Sequence, residues 1–269
     1  MPEKMQVEEL VRKVQANSKY ESIVRGFVER LSADTLAKGL TGKAAVKDVR
    51  GTLHQVGGAY FKLPIDFNKA TAALKHLSKD LKADEFKRFC LEQMNMHAST
   101  AERLPILEDF FKISLSPIAP ITSVLDLACG LTPLAIPWIP LAEEYTYQAC
   151  DIYLDMMNFL QSFFDHFSIN GRVFTCDIID TLPDEPTQVA FLLKSMPCLE
   201  RLDKDIGSHL LEKINAEHIL VSFPVHSLGG RKKGMQDFYQ QHFYEIVHGK
   251  PWIIQEFEFK TELAFLVSK

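Results

Sequence analysis

The apolar positions along the chain change rhythm once, near residue 96. Before it they recur at three- and four-residue spacings: Leu10, Val11 and Val14, then Ile23, Val24, Phe27, Val28 and Leu31, then Ala73, Leu74, Leu77 and Leu81. Such spacing puts each set on one helix face, and the last set predicts a helix over 70–81. Gly39, Gly42, Gly57, Gly58 and Pro64 divide the region into short pieces. Residues 1–96 therefore read as an all-helical domain. Ser99-Thr100-Ala101-Glu102 then has the form of a capping box, a helix start in which hydroxyl and carboxylate satisfy free N–H groups. Leu104, Ile106, Leu107, Phe110 and Phe111 follow as its apolar face.

From residue 123 short apolar runs alternate with helical stretches. Strands are predicted over 123–129, 145–151, 172–177, 188–194 and 218–223, with helices over 154–167 and 206–214 among them. This alternation is the mark of βαβ units around a parallel sheet. Two last strands, 252–260 and 262–268, have almost nothing between them, and a connection that short allows only an antiparallel hairpin. Residues 97–269 thus read as an α/β domain, a doubly wound, Rossmann-like sheet with an antiparallel last strand.

Composition adds a charge asymmetry. The chain has 269 residues, 46% of them apolar, and a net charge of −5. Residues 1–96 hold 17 Lys and Arg against 12 Asp and Glu, whereas residues 97–269 hold 13 against 23. A basic module is joined to an acidic one, as expected if the first part meets a polyanion. The five cysteines, Cys90, Cys129, Cys150, Cys176 and Cys198, have neither the even count of a disulfide framework nor the paired spacing of a zinc site. No metal site is expected, and Cys129, Cys150 and Cys176 read as small core residues. No apolar run is long enough to span a membrane. The first ten residues carry three glutamates and no apolar stretch of a secretory signal, so a cytoplasmic protein is expected.

The candidate chemistry lies at the strand ends. The first strand runs Val124-Leu125-Asp126-Leu127-Ala128-Cys129-Gly130, and a glycine there lets a ligand approach the backbone closely. A phosphate-binding G-x-G-x-x-G is missing, which argues against a dinucleotide pyrophosphate, and a cofactor without phosphates fits better. The second strand ends at Asp151, placed to accept from both hydroxyls of a ribose. The third ends at Asp177, placed to accept from an adenine amino group. Ala128, Ile152 and Ile178 sit beside these positions. Arg103, in the helix before the first strand, is a candidate clamp for the carboxylate of a methionine moiety. Together these residues fit S-adenosyl-L-methionine. The loop from Ser222 to Met235 follows the fifth strand and holds three glycines and the cations Arg231, Lys232 and Lys233. Flexible backbone with cations suits a phosphate backbone. Phe223 and Met235 offer surfaces for a base taken out of its stack. Lys194, closing the fourth strand, is placed to meet that base or a phosphate. Lys13, Lys19, Arg50 and Lys69 are candidate RNA-docking cations in the helical part.

These runs resemble a known family. His97-Ala98-Ser99-Thr100-Ala101-Glu102-Arg103, Leu125-Asp126-Leu127-Ala128-Cys129-Gly130-Leu131-Thr132-Pro133, Leu53-His54-Gln55-Val56-Gly57-Gly58-Ala59-Tyr60 and the 222–235 loop are similar to the aminoglycoside-resistance 16S ribosomal RNA guanine-N7 methyltransferases. The likeness runs from about Arg50 to the end, while residues 1–45 match in helical character alone. It implies a helical domain, 1–96, that docks on the small ribosomal subunit, and a methyltransferase domain, 97–269; apart from the resemblance, a monomer is expected. It implies methylation of guanine N7 in the decoding A site of 16S rRNA, and resistance to gentamicin- and kanamycin-class drugs. It gives Arg103, Gly130, Asp151 and Asp177 to the cofactor, and Arg231, Lys233 and Met235 to the surroundings of the target base. Two positions depart: Thr132 stands where the family often has asparagine, and Thr52 where it often has a second arginine, which predicts one RNA contact fewer. The residues alone leave open a methyltransferase acting on a small molecule or another RNA, and a non-catalytic RNA-binding protein.

Overall fold

A computed structural model describes residues 2–61, 65–225 and 234–269. The chain begins with helices α1 (Pro2–Gln15), α2 (Arg25–Ala37), α3 (Gly42–Val56), α4 (Phe67–Leu74), α5 (Asp84–Met94), α6 (Ala98–Arg103) and α7 (Leu107–Leu115). Strands β1 (Ile121–Leu127) and β2 (Leu141–Asp151), helix α8 (Leu154–Phe167) and strands β3 (Gly171–Thr175) and β4 (Thr187–Leu193) follow. Then come α9 (Met196–Leu199), α10 (Ile206–Lys213), β5 (Ala216–Pro224), α11 (Met235–Ile246), β6 (Ile253–Glu258) and β7 (Glu262–Ser268).

The sheet order is β3-β2-β1-β4-β5-β7-β6. Strands β1 to β5 pair in parallel, and β7 pairs antiparallel with both β5 and β6. The order reverses between β1 and β4, which opens a crevice at their carboxyl ends, where ligands bind in such sheets. The expected doubly wound sheet with an antiparallel last strand is therefore present.

Side-chain alternation divides the core. On β5, Leu220 faces a cluster shared with the N-terminal helices, whereas Ile219, Val221 and Phe223 face a second cluster with α10 and α11. The first cluster runs unbroken from Leu10 to Phe163 and Leu266. Phe67 of α4 stacks on Phe159 of α8, and Phe86 of α5 on Phe163. The change of pattern near residue 96 thus marks a change of element type, and both parts bury apolar surface in one core.

Three local expectations are corrected. The helix predicted over 70–81 ends at Leu74, because Ser78 Oγ and Asp80 Oδ1 take the N–H groups of Asp80 and Lys82. The N-cap of α6 is His97, so Ser99 lies inside the helix, Thr100 Oγ1 donates to the carbonyls of Met94 and His97, and Glu102 turns to Lys194. Strands β1 and β4 stop at Leu127 and Leu193 because Ala128 (φ 50°) and Lys194 (φ 58°) adopt left-handed backbone.

Candidate functional site

Beyond Ala128 the chain crosses Gly130, at φ 52°, before entering the 3-10 helix Thr132–Trp138. The left-handed angle suits glycine, and a Cβ there would lie 2.9 Å from the imidazole of His97. The bare backbone therefore forms a cradle at the switch point. Asp151, ending β2, accepts from Gly130 N at 3.0 Å and from Ile152 N at 2.7 Å, so β2 fixes the turn after β1. Burial pushes the Asp151 carboxyl above the usual range, against the pull of the Gly130, Ile152 and Tyr153 N–H groups.

A cavity of about 750 Å³, counted to its open mouth, lies over this turn. Its floor holds Ala128, Gly130, Asp151, Ile152, Asp177, Ile178 and Lys194, seven of the positions expected from the sequence. Its roof comes from the helical part: Phe27 of α2, Val56 at the end of α3, Gly57 and Tyr60. Gly57 passes so close to Tyr153 that a Cβ would meet its hydroxyl at 2.5 Å. Tyr60 shares a hydrogen bond with Cys198 beyond β4. The residues fit an adenosyl group. Two acids are held at neighbouring strand ends, and Ile152, Met156, Ile178 and Ile179 give apolar walls for a purine.

His97 is 7% exposed, stacks on Tyr60 and meets Phe61 edge-on, and its Nδ1 has no hydrogen-bond partner. Burial, with the charges of Lys194 and Arg103, lowers its pKa to about 3, so the ring stays neutral at physiological pH.

Arg103 and Phe223 stand on the elements the sequence reading gave them, but neither lines the cavity. Arg103 is 1% exposed and does not line the cavity. Its Nη2 donates to Glu262 Oε2 at 2.9 Å, Nε lies 2.9 Å from Oε1, and its plane covers the ring of Phe110. Only Nη1 points back, to Thr132 Oγ1 at 3.4 Å. Phe223 is wholly buried against Tyr239, Phe243 and Phe265, on the face of β5 opposite Ser222, and cannot receive a base. Lys194 does reach the cavity wall, but its ammonium is shared between Glu102 at 3.1 Å and Glu262 at 3.4 Å. Burial pushes the Glu262 carboxyl up, and Arg103, Lys194 and the Ser222 hydroxyl outweigh it and hold it below the usual range. Asp126, buried in β1, accepts from the Tyr147 hydroxyl and does not line the cavity.

The family model for ribosomal RNA methyltransferases (FmrO) matches residues 16–266. The chain belongs to this rRNA methyltransferase family. Several relatives carry the name 16S rRNA (guanine(1405)-N(7))-methyltransferase. The one from Micromonospora echinospora is 34% identical, over 98% of this chain and 96% of that protein. The one from Micromonospora rosea is 32% identical, over 98% and 97%. Among solved structures, the 16S rRNA methyltransferase RmtF in complex with S-adenosyl-L-homocysteine superposes with a TM-score of 0.82, at 26% identity and 98% coverage of each chain. This rRNA methyltransferase therefore uses S-adenosyl-L-methionine, and the likeness reaches back to residue 16, well before Arg50.

The candidate docking cations of the rRNA methyltransferase fare unequally. Lys13 and Lys69 are exposed, Lys13 beside Glu9 of the same helix. Lys19 lies 3.2 Å from His54 Nδ1. Arg50 is committed to structure, with Nη2 donating to the carbonyls of Lys13 and Val14 at the end of α1 and its charge over Tyr20. Met235 opens α11, half-buried, while Arg231 and Lys233 lie outside the described residues. Among the described residues no group of acids, histidines and cysteines could hold a metal, and no helix is long and apolar enough to cross a membrane. The described cysteines are free thiols.

Sequence reading missed the roof and the buried charges. His97 and the Gly57–Tyr60 turn stand inside runs that carried the resemblance, so their signal was present without a role. Phe27, Arg30 and Glu262 gave no signal, since each is an ordinary residue of an amphipathic helix or a strand.

Proposed function

We propose that this protein methylates N7 of a guanine in the decoding site of 16S rRNA, within the small ribosomal subunit, at the position for which its relatives are named. We take it to act as a cytoplasmic monomer and to confer resistance to aminoglycosides of the gentamicin and kanamycin class. The observation that carries this reading is the two-acid cavity at the switch point, in a chain that matches N7 methyltransferases from end to end.

Asp151 holds the ribose end of the cofactor and Asp177 the adenine end, while the Gly130 turn lets the sulfonium portion pass close to the backbone. When bound, S-adenosyl-L-methionine supplies an electrophilic methyl group. Guanine N7 carries a lone pair and no proton at neutral pH, so no side chain has to remove one. The task of the chain is to align base and cofactor, and proximity and orientation supply roughly 7–11 kcal/mol of barrier reduction in well-aligned systems. Neutral His97 adds no charge to repel a sulfonium. Affinity for the subunit comes from phosphate contacts of exposed cations such as Lys13, Lys19 and Lys69, with Arg231 and Lys233 near the base.

The test is transfer of tritium from labelled S-adenosyl-L-methionine to intact small subunits, to naked rRNA and to subunits already methylated at the same N7. Label in fresh subunits alone supports the reading. Equal label in pre-methylated subunits moves the target elsewhere, and no label with cofactor bound turns the search to small molecules.

A further inference from the structure

The carboxylate of Asp177 is gripped from outside the sheet. Arg30 of α2 donates from Nε to Oδ2 at 2.7 Å and from Nη2 to Oδ1 at 3.1 Å, and Ile179 N adds a third donor to Oδ1 at 3.2 Å. Two parallel N–H···O bonds fix the plane of a carboxylate as well as its place. The pair is shielded, with side chains 24% and 12% exposed. One turn earlier on the same helix, Phe27 is buried, lines the cavity and lies 5.2 Å beneath the Arg30 guanidinium. Helix α2 thus presents an arginine to the back of the acid and an aromatic ring to the cavity. A carboxylate oxygen accepts about two hydrogen bonds. Among the described residues Oδ1 takes two and Oδ2 takes one.

We propose that Arg30 is a positioning residue for the purine of the cofactor. It orients Asp177 so that the uncommitted site on Oδ2 accepts from the exocyclic amino group of adenine. Preference for adenine over a 6-oxo purine then depends on a helix of the N-terminal region. The inference rests on the assignment of Asp177 to the adenine end. A 6-oxo purine puts an acceptor where adenine has a donor, so a fixed carboxylate rejects it, and one free to turn away rejects it less. An arginine that only fastened α2 to the sheet would change the binding of both purines alike.

The full chain is titrated calorimetrically with S-adenosylhomocysteine and with S-inosylhomocysteine, its 6-oxo counterpart, and folding is checked by melting. The wild type is expected to favour the adenine ligand by at least about tenfold, the value of roughly one charge-assisted hydrogen bond. Arg30→Gln lowers that ratio about fivefold, and Arg30→Lys, which keeps the charge without the parallel bonds, falls between. Asp177→Asn abolishes the preference, and Arg30→Gln added to it changes the ratio no further. A wild-type ratio in Arg30→Gln, with the preference lost in Asp177→Asn, overturns the proposal and leaves the cofactor site standing. A preference that survives Asp177→Asn removes adenine from this acid, and the site assignment falls with the proposal. If Arg30→Gln does not fold, Arg30→Lys decides alone, since an undiminished ratio there overturns the role of the fork.

Discussion

Along the carboxyl edge of the sheet, Asp151 and Asp177 stand at and just beyond the ends of β2 and β3 and face a cavity with apolar walls. On the other side of the switch point, Lys194 follows β4 and Glu262 starts β7, and these close on each other and on Arg103. The first pair lines the cavity, Asp151 held by the N–H groups of Gly130 and Ile152 and Asp177 by Arg30 and Ile179 N. The second group spends its charges within the protein, with Arg103 and Glu262 almost wholly out of water. Both arrangements arise where strands end, so a charged residue at a strand end does not by itself mark a contact with cofactor. What separates them is how fully neighbouring elements use the carboxylate: Arg30 reaches Asp177 from α2, yet Oδ2 takes one hydrogen bond among the described residues, whereas Arg103, Lys194 and Ser222 all close on Glu262.

The strongest way to break this contrast is to remove the centre of the closed group. Glu262→Gln leaves Arg103 and Lys194 buried against a neutral amide. Loss of one partner in such a pair costs about 3–5 kcal/mol, and urea unfolding at neutral pH should show a drop of that order. A stability within about 1 kcal/mol of wild type would mean that water reaches the cluster.

The second test uses acid. His97 has a folded pKa of about 3 against 6.5 for the free group, so below pH 6.5 the unfolded chain takes up a proton that the native chain refuses. Stability is full above that pH and is lost as pH falls toward 3, by up to about 1.4 kcal/mol per unit. Comparing urea midpoints at pH 7 and pH 5 for the wild type and His97→Gln isolates this share, and parallel slopes would show that the ring is charged in the fold.

On the open side, Gly130→Ala puts a methyl against His97 and a side chain on a left-handed residue. The strain costs about 1–2 kcal/mol, and calorimetry should show S-adenosylhomocysteine bound at least about tenfold more weakly. Unchanged affinity would place the cofactor away from the turn.

The smallest effect is expected at the periphery. Lys13→Ala should leave the melting midpoint unmoved, since its partner Glu9 is exposed. If Lys13 touches a phosphate, the slope of log affinity for the subunit against log salt should drop by about one. An unchanged slope strikes Lys13 from the docking surface.

The sequence by itself determined the alternation of strands and helices, the antiparallel close, and the turn and acids that line the cavity. Each is written in local order: short apolar runs alternating with apolar positions at three- and four-residue spacing, a one-residue gap between the last two expected strands that only a hairpin bridges, and Gly130, Asp151 and Asp177 at or just past strand ends. Only the tertiary structure decided the rest, because it depends on which residues distant in the chain come together. Ser222 and Phe223 are neighbours in sequence, yet the pleat sends one to Glu262 and the other into the core. Arg103 and Arg50 had the charge of ligand-binding residues, and Glu262 and the last carbonyls of α1 claimed them. Arg30 carried no motif, and the fold brought it to Asp177. A buried charge must find its counter-charge within the fold, and the order of residues along the chain does not name that partner.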